Sequence, residues 1–373
     1  MMPKMTRAKA QVDRESPPVR LSRRRQSSKP VARWLKEDGR RLLVLENSWC
    51  RVTLWPGKGG AIVSYIDRAS GLDIIWRNAY GQPPRAQVIE QPMRGSSELY
   101  DVMDGSWYVS LPNGFFAGDY FGAPLGTHGE LRCLPWDVKK IVSTEAEIRV
   151  ELLGISVRTP LIYHRELTLG RTSGLMQWRE TLQNRWSREL PVAWLHHPAF
   201  GGPLLDGARL IAPARTVSVF RADDPKELQL RSGYRGTWPF VPERKSGRLR
   251  DCSIVPPASS GLDHSVQLTD FETGTGCVWN ERLRLGFALE WDLKVFPYAW
   301  SWSCGGGRTQ YPLWDEGHLV TLQPSTSPVG RFPDLLRDGG VLRIPACGTV
   351  STTLTTGFVH SPSGPWTRME ATR

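Results

Sequence analysis

From residue 41 onward, apolar residues recur with a period of two over short runs cut by Gly, Pro, Asn and Asp. "LLVLENSWCRVTLWP" and "AIVSYID" are rich in β-branched and aromatic side chains. In "EIRVELLG", Ile148, Val150 and Leu152 alternate with polar residues. In "LMQWRETLQN", Met176, Trp178 and Leu182 share a face that Glu180 interrupts. Near the end Val350, Thr352, Leu354, Thr356 and Phe358 fall on one side. Alternate side chains of a strand point to opposite faces, so each run predicts a half-buried strand. Helical periodicity is scarce, and "RFPDLLRDGG" predicts a single turn. The elements therefore predict an all-β protein, a large antiparallel β-sandwich spanning residues 41–360. A basic, disordered tail is expected at 1–40 and a short C-terminal tail at 361–373. The weaker pattern across 203–260 reads as a long connection or an insertion.

Composition changes this picture little. At 40% hydrophobic and 23% charged, the 373 residues can bury a sizeable core. No apolar run approaches the ~18–20 residues of a membrane helix. The N-terminus lacks the apolar stretch of a secretory signal, and polar residues follow Arg23, Arg24 and Arg25. A cytoplasmic protein that does not enter membranes is the expectation. The net charge of +11 sits mainly in residues 1–41, with 13 basic and 4 acidic side chains, which leaves +2 for the rest. The body has no basic stripe of the kind a nucleic-acid surface needs, so nucleic acid is not an expected partner. Cys50, Cys133, Cys252, Cys277, Cys304 and Cys347 are widely spaced with no CxxC pair. They read as free, mostly buried thiols, with neither disulfides nor a metal site.

Five segments carry candidate chemistry. "NSWCRVTLWPGKGGAIVSYIDRASGLDIIW" is a strand, a turn at Gly59 and Gly60, and a second strand. "WYVSLPNG" and "THGELRCLPW" follow, then "WLHHPAFGG", "LDHSVQL" and the pair "FPYAWSW" and "TLQPSTSP". Each is short, but their order resembles that of the aldose 1-epimerase, or galactose mutarotase-like, superfamily. The resemblance spans most of residues 41–360, apart from 203–260. It implies the supersandwich form of the β-sandwich, a sugar cleft and no cofactor or metal. By the same resemblance His197 matches the general acid, and His128 and Asp263 match ligands of sugar hydroxyls. Arg132 would offer a guanidinium fork to sugar oxygens, including those of an acidic sugar. Outside that context, His128 reads as a loop histidine satisfied by local hydrogen bonds. His196 and His197 are strand neighbours, so simple alternation lets at most one enter a cleft.

Gln323 is the departure. It stands where the resemblance implies a glutamate base, and a carboxamide takes up no proton. The family reaction removes the anomeric proton, protonates the ring oxygen and recloses the opened sugar as the other anomer. Either another carboxylate replaces the base, with Glu290, Asp315 and Glu316 the candidates along the chain, or Gln323 orients a hydroxyl or water. The first expectation is an isomerase of carbohydrate metabolism acting on a free aldose. The alternative is a catalytically weak or inactive sugar-binding or regulatory protein on the same fold. A sugar isomerase or eliminase of another kind is a minor third. Trp107, Trp136, Trp194, Trp300, Trp302 and Trp314 lie near the motifs. Most are expected in the core, with one or two, Trp302 among them, facing the sugar.

Overall fold

A computed structural model describes residues 29–78, 103–221 and 229–360. Residues 1–28 of the tail expected at 1–40, and the tail expected at 361–373, lie outside these residues. Strand pairing begins earlier than residue 41: Val31–Glu37 pairs along its length with Arg40–Glu46.

Two antiparallel sheets form the body. The twelve-stranded sheet runs from Val31–Glu37 through Cys50–Trp55, Ala61–Asp67 and Trp107–Ser110 to Leu195–Phe200 at its middle. It continues through His318–Thr321, Tyr298–Gly305 and Leu262–Phe271 to Arg235–Thr237. The short strand Gln323–Ser325 pairs with both Leu195–Phe200 and Tyr298–Gly305. The eight-stranded sheet contains Leu161–Gly170, Leu175–Asn184, Leu285–Trp291 and Thr349–Val359. This is the β-sandwich that the period-two runs predict. Ile148, Val150, Leu152, Met176, Trp178 and Leu182 all face the core. The helical turn is Phe332–Arg337. Residues 203–260 add strands to both sheets: Arg209–Ile211 extends the smaller one, and Ala214–Ser218 and Arg235–Thr237 the larger. These strands are short and partly exposed, which is why their pattern is weak. Among the described residues no helix is long and apolar enough to cross a membrane. All six cysteines are thiols, and five are buried.

The sheets meet through aromatic rings and a small polar core. Trp107 packs on Trp178 across the interface with centroids 4.8 Å apart. Glu180, which interrupts its apolar row, accepts from Arg165 Nε at 2.8 Å and pairs with His196 Nε2 at 2.8 Å. Trp107 Nε1 lies 3.4 Å from His196 Nδ1. An indole can only donate, so Nδ1 accepts and the imidazole proton sits on Nε2, toward Glu180. Arg165 also donates to the Gly60 carbonyl at 3.2 Å. Burial alone would raise the Glu180 carboxyl, but His196 and Arg165 outweigh it and hold the group at about 2. Removing one partner of a buried ion pair strands the other. Glu180→Leu is therefore expected to cost ~3–5 kcal/mol in urea unfolding. The folded pKa is depressed, so the contribution of Glu180 is complete above the ordinary carboxylate range. It fades as pH falls from about 4 toward the folded value. An unfolding midpoint that stays constant over that range would contradict this assignment.

Candidate functional site

Alternation along Leu195–Phe200 divides the two histidines. His196 turns into the core, and His197 turns to the outer face of the large sheet. Register then sets its neighbours. Tyr108 pairs with His197 on one side. On the other side Leu195 pairs with Ser325 and Ala199 with Thr321, so His197 stands across from Gln323 between them. Trp300 pairs with Gln323 in turn. Paired residues of antiparallel strands point to the same face. The outer face therefore carries a transverse row, Tyr108–His197–Gln323–Trp300.

Tyr108 stacks on His197 with centroids 4.7 Å apart and planes 8° from parallel. His128 meets His197 edge-on at 4.8 Å. It stands in a loop at φ 64°, a left-handed backbone uncommon for a side chain of this size. The loop is pinned because Glu130 N donates to the Leu111 carbonyl at 3.0 Å. Asn113, from "SLPNG", donates to the carbonyls of Phe116 and Gly126 and holds the loop's approach. Local hydrogen bonds do not satisfy His128, whose buried Nδ1 has no protein partner. His197 Nδ1 and Gln323 Oε1 share that condition. Gln323 Nε2 donates to Thr321 Oγ1 at 2.8 Å, and that hydroxyl also accepts from Trp302 N. Phe115 packs against both His128 and Trp300, and Gln323 is 1% exposed.

A narrow pocket opens beside His197; its volume is about 20 Å³, and the empty space reaches about 400 Å³ only when the open mouth is included. Tyr108, Arg132, His197, Ala199 and Trp302 line it, together with Lys58, Trp76 and Asp104. The structure thus brings His197, Arg132 and Trp302 to the lining of one pocket. Gln323, His128 and Asp263 stand outside the lining. Asp263 accepts from Trp302 Nε1 at 2.6 Å and from Arg308 Nε at 3.3 Å, so it orients the tryptophan. Arg132 Nε donates to the Thr127 carbonyl at 3.3 Å, and its guanidinium carbon lies 5.8 Å from the Tyr108 centroid. Trp107, Trp136 and Trp194 are buried in the core, and Trp314 is exposed. Of the three carboxylates considered as replacement bases, Glu290 belongs to the eight-stranded sheet, and Asp315 and Glu316 are exposed. Among the described lining residues, Asp104 is the one carboxylate.

A broader concavity adjoins this pocket and shares Trp76 and Asp104–Ser106 with it. Its arginines are held by carboxylates: Arg51 by Glu46, Arg40 by Glu37, Arg77 by Asp73. It carries no histidine among its described lining residues.

Sequence reading missed Tyr108, Lys58 and Asp104. Tyr108 had a signal. Trp107, Val109 and Leu111 form the buried alternation, which turns Tyr108 to the other face. Lys58, between glycines in "PGKGG", and Asp104 had none, because their meeting is purely tertiary.

Burial, reinforced by the Arg132 charge, pushes the His197 imidazole down to about 4. Burial, His197 and Arg132 together push His128 well below the usual histidine range. Both rings are thus uncharged near neutral pH. In ¹⁵N-detected titrations, the His197 ring is expected to stay uncharged down to about pH 4. Arg132→Gln should move that transition up, because a nearby cation is removed. Titration at the ordinary histidine value would refute the burial argument.

No protein-family model matches the chain, and no curated protein matches it in sequence. Solved structures do match. A candidate aldose 1-epimerase from Klebsiella pneumoniae superposes with TM-score 0.66 at 17% identity, covering 88% of this chain and 82% of its own. A galactose mutarotase-like protein from Lactobacillus casei gives TM-score 0.58 at 16% identity over 85% of this chain and all of its own. A galactose mutarotase related enzyme from Lactobacillus acidophilus gives 0.57 at 14% identity, covering 85% and 97%. The chain has the galactose mutarotase-like fold, as the order of its motifs implies.

Proposed function

We propose that this protein binds a monosaccharide in the cleft and exchanges its anomers, with His197 moving the proton of the anomeric hydroxyl. One observation carries the reading. Three buried polar atoms without protein partners, His128 Nδ1, His197 Nδ1 and Gln323 Oε1, belong to side chains that touch or face one another across the row. Each such atom left unsatisfied costs ~1–3 kcal/mol, so a cluster of them marks a place for hydroxyls or water. Trp302, oriented by Asp263, offers an apolar face beside it, as sugar C–H groups require. The shared fold supports the same reading.

The direction of proton transfer differs from the expectation that His197 is an acid. An imidazole that is uncharged near neutral pH is in the form that accepts a proton, although the burial that keeps it uncharged also weakens it as a base. His197 is therefore the base in this proposal, and Gln323 lends hydrogen bonds only. A pure sugar binder remains the second reading, favoured by the carboxamide itself, which pairs well with a hydroxyl and transfers nothing.

Saturation-transfer NMR of anomer exchange across a panel of aldoses separates the two. Exchange above the buffer rate is expected for at least one sugar, falling ~10²–10⁴-fold in His197→Ala. Calorimetric sugar binding with no acceleration for any aldose would instead select the binder.

A further inference from the structure

Two charged residues in the pocket have no role in the reading above. Lys58 stands in the turn between Cys50–Trp55 and Ala61–Asp67. Gly59 and Gly60 follow it at φ 61° and 57°. A Cβ on Gly59 would lie 2.6 Å from the Arg132 carbonyl oxygen, and one on Gly60 would lie 2.6 Å from the Trp136 ring. This close approach is fastened twice: Gly59 N donates to Leu134 O, and Trp136 N donates to Pro56 O, both at 2.8 Å. The docked turn carries Lys58 beneath the surface, to 4% exposure. There its ammonium pairs with the Asp104 carboxylate. Asp104 is held in turn, since Asn78 N donates to its carbonyl at 3.2 Å.

A buried ion pair is weak evidence for stability, because desolvation offsets most of the attraction. Its place in the wall beside His197 calls for another explanation. His197, Lys58 and Asp104 all line this pocket, and Gln323 is absent from the lining. A base alone cannot exchange anomers, since the ring oxygen needs a proton as its bond to C1 breaks.

Resting on the proposed anomer exchange, we infer that Lys58, oriented by Asp104, is the proton donor to the ring oxygen and works opposite His197. His197 takes the proton of the C1 hydroxyl as the C1–O bond becomes a carbonyl. The Lys58 ammonium gives a proton to the ring oxygen as its bond to C1 breaks. After rotation about C1–C2, the freed hydroxyl adds to the other carbonyl face and returns its proton to the Lys58 amine. His197 then returns its proton to the new C1 oxygen. No proton is gained or lost, and no cofactor is consumed.

Burial lowers the Lys58 ammonium from the usual lysine range, while Asp104 opposes that shift. Cys133 also favours its charge, and Arg132 disfavours it. His197 faces His128, Tyr108 and Arg132. Exchange should rise with pH as His197 loses its proton, and fall again on the alkaline side as Lys58 loses its own.

The test is anomer exchange by saturation-transfer NMR, using glucose and galactose among the probes, as a function of pH and above the buffer rate. Lys58→Arg keeps the charge and the Asp104 partner but has no proton to release near neutrality. It should lower exchange ~10²–10⁴-fold with calorimetric sugar affinity retained. Wild-type exchange in that variant would overturn the inference. The unaltered protein supplies a check that needs no folded variant: an alkaline fall below the ordinary lysine range supports Lys58, and a rate flat through that range refutes it. Asp104→Asn removes the charge that favours the ammonium, so its alkaline fall should move to lower pH, and an unmoved fall counts against the pair. Absence of exchange in the wild-type protein would overturn both this inference and the proposed function. Exchange that is indifferent to Lys58 would overturn this inference alone.

Discussion

The hydrogen bond between Glu180 and His196 governs the cleft from behind. It draws one of two adjacent histidines into the core, and strand geometry then leaves the other no choice of face. The same carboxylate holds Arg165, whose guanidinium reaches the Gly60 carbonyl. A single buried network therefore ties the His197 strand to the turn that carries Lys58. Its members come from both sheets, so the closed sandwich is what brings Lys58 and His197 to one pocket. A polar core of this kind adds little net stability beside an apolar one, but it fixes which arrangement forms.

In front of that network, the cleft is a low-dielectric place with few carboxylates. Burial keeps both histidines uncharged, with the nearby Arg132 charge adding to the effect, while Asp104 balances Lys58. In the proposed anomer exchange, uncharged imidazoles and a paired ammonium form the division between base and acid. It inverts the one expected from position 323. The aromatic parts have separable tasks. Tyr108 fixes the plane of His197 by stacking, and Trp302, anchored by Asp263, supplies the apolar wall. Phe115 spans His128 and Trp300 and accompanies a Gln323 that solvent hardly reaches.

Most of the sandwich was legible in the chain because period two is a local signal. Ile148, Val150 and Leu152 report their faces without help from the rest of the molecule. Glu180 was legible only as an anomaly, since its reason lies fifteen or more residues away in Arg165 and His196. His197 and Trp302 stood out through motif order, and both reach the pocket wall. Asp263 stood out in the same way, yet it lies one layer back. Spacing says which face a residue takes but not whether a neighbouring indole intercepts it. Lys58 and Asp104 are forty-six residues apart, with no pattern linking them. Their meeting depends on two glycines that let one loop settle on another.

Gln323 puts a carboxamide, which transfers no proton, into the row beside His197. It is also a substitution with almost no steric signature. Glutamine and glutamate have nearly the same volume and shape, and their codons differ by a single nucleotide. The backbone register that sets position 323 across from His197 would hold for either. The distance between a carboxamide cleft and a carboxylate one is therefore short on the scale of mutation, however wide it is in chemistry. Lineages on this fold can cross it in either direction without rebuilding the sheet.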